Sequence, residues 1–511
     1  MQELPIGIQT FRKMREGNFL YIDKTRSIYE LVKKPAGAYF LSRPRRFGKS
    51  VLISTLEELF LGNRELFQGL WMDSAEFAWE KHPVLRFDFS KQKVRTSDGL
   101  LRFLYTELAY LAETYKVTLE TEDYYSQFQE LIRKLGKNDK VVILIDEYDK
   151  PIIDHLEDSK LAVEMREVLK GFFSVLKGND AYIRFLLLMG VSKFSKAGVF
   201  SNLNHLEDIT LRDDFSTLLG ITQQELESSF ADYMPQLQEK QRLSKTQLLE
   251  TIKHWYNGYS FSPERESVYN PFSTLLLFQA KRFQHHWFET GTPEFLIKLI
   301  IQKQFDIIKI PMQAEEISFS SYEVDDLSLV PLLLQTGYLT IKGYDEELMI
   351  YTLDYPNYEV KQAFLTYILR KLKRIELSGS FLYSLIQAVR SNNVDACMET
   401  LREVFLAINY DIQIPQEKYY QTIFYLIFTL LGLKIEAEVK TNKGRIDAVV
   451  VSESVYLFEF KLNGSKEEAL QQIKDKKYYE KYLALGKPIV LVGAEFCERN
   501  IGEYVVETLA L

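Results

Sequence analysis

Residues 444 to 465 read GRIDAVVVSESVYLFEFKLNGS. Two β-rich runs, Arg445 to Val451 and Val455 to Leu462, flank a short polar Ser-Glu-Ser, which is the pattern of a hairpin. Successive strand residues point to opposite faces, so Glu459 and Lys461 share one face while Phe458 and Phe460 share the other. With the turn centred at Glu453, Asp447 lies opposite Glu459. Two carboxylates and an ammonium then converge, and such a cluster is costly to hold without a cation between the acids. The alternative is an ordinary cross-strand ion pair on a solvated sheet face. Against it, Ile446, Val449, Leu457 and Phe458 argue that both faces are covered.

Working outward, the hairpin has a helical pattern before it, EKYYQTIFYLIFTLLG, and another after it, KEEALQQIKDKKYYEKYLALG. A last strand-like run, KPIVLVG, completes an α-β-β-β-α-β order. A magnesium ion held by Asp447 and Glu459 can polarise a phosphodiester and acidify a bound water, with Lys461 orienting the water or steadying developing charge. The expected reaction class is phosphodiester hydrolysis. Asp447 with Glu459-Phe460-Lys461, in this element order, resembles the PD-(D/E)XK nuclease superfamily. The resemblance implies a supporting glutamine on the following helix, and Gln472 stands there, with Lys476 one turn on. That helix opens with a capping box, Ser465 to Glu468. Some members of the superfamily carry an acid on the first helix, where Glu417 is the residue to propose.

The amino-terminal half has a different rhythm. From Ala38 to Gly190, short apolar runs (AYFLS, VLRFDFS, VVILIDEYD, IRFLLLMGVS) alternate with amphipathic stretches, as in an α/β domain with a parallel sheet. After AYFLS comes RPRRFGKS, in which Gly48-Lys49-Ser50 opens a helix and resembles the end of a Walker A loop. Lys49 is then expected to reach the β and γ phosphates of ATP, and Ser50 its magnesium. A full GxxxxGK[ST] needs glycine at 43, where this chain has Arg43. Arg43, Arg45 and Arg46 either touch phosphates or form a solvated basic loop; Arg46 is the one to assign to the nucleotide. The buried-strand run ending in Asp146-Glu147 has the Walker B pattern, with Asp146 holding magnesium through water and Glu147 polarising the attacking water. Ser192 ends the next apolar run, where related ATPases place a polar sensor near the γ-phosphate.

At 511 residues the chain suggests about three domains at a prior of roughly 150 residues each. The boundaries read as 1–205 for the P-loop domain, 206–415 for a mainly helical linker or winged-helix-like region, and 416–511 for the nuclease-like domain. The fold class is therefore α/β multidomain. Cys397 and Cys497 stand far apart without a metal-binding pattern, which fits a reducing, cytoplasmic setting. No apolar run approaches the roughly 20 residues of a membrane span. A net charge of −8 excludes a globally basic coat, so nucleic acid, DNA or RNA, must be met by local basic patches such as the stretch up to Ser50. An oligomer is possible. In the middle region, Asn257-Gly258 and Asn270-Pro271 read as packing corners rather than a ligand site.

The strings LPIGIQTFRKMREGNFLYIDKT, FLSRPRRFGKS, LIDEYDKPI, WYNGYSF, VYNPFS, FETGTP, GRIDAVV and FEFKLNGS resemble a bacterial family in which an AAA-ATPase-like domain precedes a PD-(D/E)XK nuclease domain. The resemblance implies two domains and their activities, with no defined substrate. Three functions stay open: an ATP-regulated nuclease, a non-enzymatic nucleotide-dependent switch using the nuclease fold as a nucleic-acid or partner-binding platform, and a stand-alone NTPase with a structural tail.

Overall fold

Val141 to Ile145 are wholly buried, as a strand covered on both faces requires. In the computed structural model, which describes residues 1–194, 203, 205–287, 294–303, 305, 307–320, 328–372, 379–406, 417–441, 444–462, 464–497 and 500–509, this run lies inside a five-stranded parallel sheet. Its strands are β1 (Gly37–Ser42), β2 (Val84–Asp88), β3 (Val141–Asp146), β4 (Ile183–Gly190) and the short β5 (Glu207–Asp208), in the order β2-β3-β4-β1-β5. Every pairing is parallel. On one face α1 (Lys49–Phe60) buries Leu52, Leu56 and Phe60 against Leu41, Leu144, Phe185 and Leu187. On the other, α2 (Ser97–Thr114), α3 (Tyr124–Gly136) and α4 (Ser159–Ser174) gather, and Phe87 of β2 packs edge-on to Phe128 and Phe172. The strand order inserts β4 between β1 and β3. The loop after β1, the acids after β3 and the end of β4 therefore meet at one carboxyl edge, where open α/β sheets hold ligands.

The chain forms two compact units: residues 1–300 with 311–361, and residues 301–310 with 362–511. The first unit thus adds helices to the sheet, among them α5 (Lys245–Tyr256) and α6 (Pro271–Ala280). The Asn270 side chain accepts from Ser273 N–H at 3.1 Å, and Pro271 takes the first helical position, so α6 starts as its sequence expects. Phe230 stacks on Phe278 within the core of this helical part. The Trp255 to Tyr259 stretch is a packing corner, with Trp255 against Phe283 and Tyr358 and Tyr259 edge-on to Phe47. Helix α7 (Leu329–Gln335) falls in the chain between β6 (Met312–Glu315) and β7 (Thr340–Asp345) of a small antiparallel sheet, which β8 (Ile350–Asp354) completes in the order β6-β8-β7. The FETGTP string, 288–293, lies outside the described residues.

In the second unit, α8 (Glu417–Leu430) is followed by β9 (Lys434–Thr441), β10 (Gly444–Val451), β11 (Val455–Leu462), α9 (Lys466–Lys476), β12 (Ile489–Cys497) and β13 (Asn500–Leu509). The sheet order is β13-β12-β11-β10-β9, with only β11 and β12 parallel. The expected α-β-β-β-α-β order is present and is extended by β13, which covers the edge that β12 would otherwise leave open. Among the described residues no helix is long and apolar enough to cross a membrane.

Candidate functional sites

β10 and β11 pair with Ala448 opposite Phe458 and Val451 opposite Val455. Tyr456, Phe458 and Phe460 stack along one face of β11, where Phe458 and Phe460 meet Phe424 of α8. The opposite face carries Leu457 into a core with Leu470 and Ile473 of α9, and carries Glu459 and Lys461 toward Gln472. α9 reaches so close because position 493 of β12 is glycine: a Cβ there would stand 2.5 Å from both Leu470 N and Lys466 O.

The cluster is buried. Asp447 is 6% exposed and Glu459 3%, which removes the reading of an ion pair on a solvated face. Asp447 Oδ2 accepts Phe460 N–H at 2.8 Å. Glu459 Oε1 accepts from the Gln472 amide and, at 3.4 Å, from Lys461 Nζ, which also donates to Gln472 Oε1 at 2.5 Å. Glu459 Oε2 is buried with no hydrogen-bond partner. Burial, and then the Asp447 charge, push the Glu459 carboxyl well above the usual range, against the pull of Lys461. The geometry thus brings Asp447, Glu459, Lys461 and Gln472 together. Lys476 is exposed on α9, and the Glu417 side chain lies outside the described residues. Among the described residues no group of three or more His, Cys, Asp or Glu is arranged to hold a metal ion, so this site offers two carboxylates.

In the first unit, Lys49 begins α1 and is 5% exposed. Its Nζ donates to Arg43 O at 3.0 Å and Pro44 O at 2.9 Å, folding back on its own loop. Burial lowers its pKa, opposed by the charges of Glu147, Asp146 and Asp149. Both oxygens of Asp146 are buried without a hydrogen bond of full geometry. Burial lifts Asp146 to about 6, against the Ser50 hydroxyl and the Lys49 ammonium. Glu147 adopts φ +49°, a conformation that side-chain-bearing residues hold mainly where surroundings force it. A cavity of about 500 Å³ opens over this loop, lined by Gln9, Arg46, Lys49, Ser50, Glu147 and Phe272 among others. Its size suits a nucleotide-sized ligand. Asp146 and Ser192 lie outside that lining; both are wholly buried, and the Ser192 hydroxyl has no hydrogen-bond partner.

The arginines of the loop divide. Arg43 neither lines a phosphate cradle nor meets solvent: it is 1% exposed, with its guanidinium donating to Ser42 O, Thr210 O and Phe215 O and lying 3.9 Å from the centre of the Phe261 ring. The residue that replaces the expected glycine is thus an anchor for the strand exit. Burial lowers its pKa, with the Asp208 charge opposing. Arg46, at φ +65°, stacks 3.9 Å over Phe272 in the cavity wall. Sequence reasoning missed Asp149, which is buried at the base of the site and accepts Val191 N–H and Ser192 N–H. Burial lifts it to about 6. Its signal was present in the string DEYD, which carries a third acid two residues beyond Glu147.

Fold and sites together define a two-part protein: a P-loop parallel-sheet domain of ATPase type, and a sheet with a carboxylate-lysine hairpin of nuclease type. Residues 5–200 match the family model described as "Predicted AAA-ATPase", and residues 415–503 match that of the PD-(D/E)XK nuclease superfamily. A protein of Azotobacter chroococcum mcd 1, named "Uncharacterized protein in vnfD 5'region", is 39% identical over 529 aligned positions that cover 99% of each chain. The chain belongs to that protein's family, with an AAA-ATPase-like domain followed by a PD-(D/E)XK nuclease-superfamily domain.

Proposed function

We propose that this chain is an ATP-binding, ATP-regulated, magnesium-dependent nuclease that hydrolyses phosphodiester bonds in nucleic acid. The observation that carries the reading is the buried Asp447 and Glu459 pair, in which Glu459 Oε2 has no hydrogen-bond partner. Two buried carboxylates side by side disfavour their own ionisation. Hard oxygen donors with an unsatisfied lone pair fit magnesium, and Asp447 and Glu459 are the residues that would hold it. When bound, the ion supplies a Lewis acid for the phosphodiester and a more acidic water.

The chain's own residues do the rest. Asp447 is fixed by Phe460 N–H, and Glu459 is oriented by the Gln472 amide. Gln472 also holds Lys461, whose ammonium is the cation placed to orient the attacking water or to steady charge on the phosphate. In the first unit, Lys49 exchanges its two loop carbonyls for ATP phosphates, and Arg46 lines the same cavity. Asp146 and Ser50 would hold the magnesium of the nucleotide; Glu147 acts on the attacking water and Ser192 on the γ-phosphate.

The test is a set of melting curves for wild type, Asp447→Ala and Lys461→Ala, each with magnesium and with chelator. Magnesium is expected to stabilise wild type and Lys461→Ala and to leave Asp447→Ala unmoved. With chelator, Asp447→Ala is expected to melt no lower than wild type, because repulsion is relieved. Loss of stability in Asp447→Ala with no magnesium effect on wild type would mark a structural ion pair instead.

A further inference from the structure

We propose that Asp149 and Tyr148 are positioning residues of the nucleotide site, forming a clamp that sets Ser192; the inference rests on the reading of that site as one that binds and hydrolyses ATP. Asp149 Oδ2 accepts two consecutive backbone donors, Val191 N–H at 2.9 Å and Ser192 N–H at 2.6 Å. The Tyr148 hydroxyl donates to Ser192 O at 2.8 Å. Both backbone groups of Ser192 are therefore held by side chains from the turn that directly follows Glu147. Tyr148 N–H also bonds Met189 O at 3.1 Å, so the turn grips β4 from its last residues onward.

The other side of the same segment is stitched to the start of the phosphate loop. Ser42 Oγ donates to Val191 O at 2.5 Å, and Arg43 N–H donates to Gly190 O at 3.1 Å. Residues 190 to 192 thus lie between the loop that carries Lys49 and the turn that carries Asp146 and Glu147. Gly190 is required by this closeness: a Cβ there would stand 2.6 Å from Asp149 Oδ1 and 2.7 Å from the Tyr148 ring.

A latch serving stability alone would leave its tenant satisfied. Here the Ser192 backbone is held at both ends while its hydroxyl, wholly buried, has no partner. A buried hydroxyl without a hydrogen bond is unfavourable, so a segment held this firmly around one is poised for an acceptor that arrives with the ligand. The acceptor class is a phosphoryl oxygen, and the clamp fixes where the hydroxyl meets it.

The test measures ATP binding at equilibrium and steady-state hydrolysis by the full chain and by Asp149→Ala, Asp149→Asn, Tyr148→Phe, Ser192→Ala and the Asp149→Ala/Ser192→Ala pair. Asp149→Ala is expected to lower kcat about tenfold or more while ATP affinity changes less than about threefold. Asp149→Asn, which keeps an acceptor oxygen, recovers most of the rate. The paired variant is expected to lose no more than Ser192→Ala alone, because both changes act through one hydroxyl. Multiplying losses in the pair, or unchanged kcat in Asp149→Ala, overturns the proposal. If Asp149→Ala fails to fold, Tyr148→Phe carries the test, with a lower kcat at retained affinity expected and an unchanged kcat overturning the clamp. Wild type that binds ATP without turning it over overturns the clamp and spares nucleotide binding. Wild type that binds no ATP overturns both.

Discussion

Lys49 and Lys461 are each held by acceptors of their own site, but the acceptors differ in what they can release. Lys49 rests on two neutral carbonyls, Arg43 O and Pro44 O, which a charged phosphate outcompetes. Lys49→Ala is accordingly expected to weaken ATP binding by roughly a hundredfold, the equivalent of about 2.7 kcal/mol. Equilibrium binding of labelled ATP checks it, and unchanged affinity would remove the P-loop reading. Lys461 rests on Glu459 and Gln472, partners that would stay in place when substrate binds. Glu459 itself makes a pH prediction. Its folded pKa is raised by burial and by Asp447, so the folded state binds a proton more readily than the unfolded chain, whose glutamates titrate near about 4.3. In chelator the contribution is full below that value and is lost as pH rises through the raised one. Denaturation of wild type and Glu459→Gln between roughly pH 5.5 and 8.5 should therefore converge at the acid end, with wild type losing more stability toward alkaline pH. The variant comparison is needed because Asp146 and Asp149, both lifted to about 6, slope the same way. A pH-independent difference would deny that Glu459 is a forced, buried charge.

Among elements, the hairpin was the most legible. β-branched runs around Ser452 to Ser454 set its register, and strand alternation then fixed which side chains share a face. The start of α9 was legible too, since Ser465 and Glu468 form the reciprocal cap their spacing announces. Gln472 was legible only through the resemblance, which implies a glutamine on this helix. β13 was not legible: Glu503 and Glu507 interrupt its apolar residues, as edge strands commonly require, and only pairing with β12 identifies it. The role of Arg43 was equally hidden, because its acceptors, Thr210 O and Phe215 O, lie far along the chain. Two predictions belong here. Arg43→Gly restores the Walker A glycine in sequence, yet it strips those buried carbonyls of a donor and should cost about 3 kcal/mol in chemical denaturation without improving ATP affinity. Gly493→Ala should cost about 1–3 kcal/mol and lower cleavage, since the added methyl meets the α9 backbone and must displace Gln472. Full activity in Gly493→Ala would show that the position of α9 does not matter to the site.

For the whole molecule, the alternation of buried strands and amphipathic helices announced the parallel sheet, and the later change of rhythm announced the mixed one. What rhythm could not reveal was the company each site keeps: the cavity over Lys49 is walled by Phe272 at the start of α6, and Asp149 joins the end of β4 to the acid turn. Such contacts join residues separated by tens to hundreds of positions, and no local pattern encodes them. The central claim, that the buried acid pair is a metal-dependent phosphodiesterase centre, is tested most directly by cleavage. Wild type, Asp447→Ala and Lys461→Ala would be incubated with single- and double-stranded DNA and RNA, in magnesium or chelator, with and without ATP. The account predicts cleavage of at least one substrate by wild type in magnesium, changed in rate by ATP, and absent from both variants and from chelator. No cleavage of any substrate by wild type, or equal cleavage by Asp447→Ala, would contradict it.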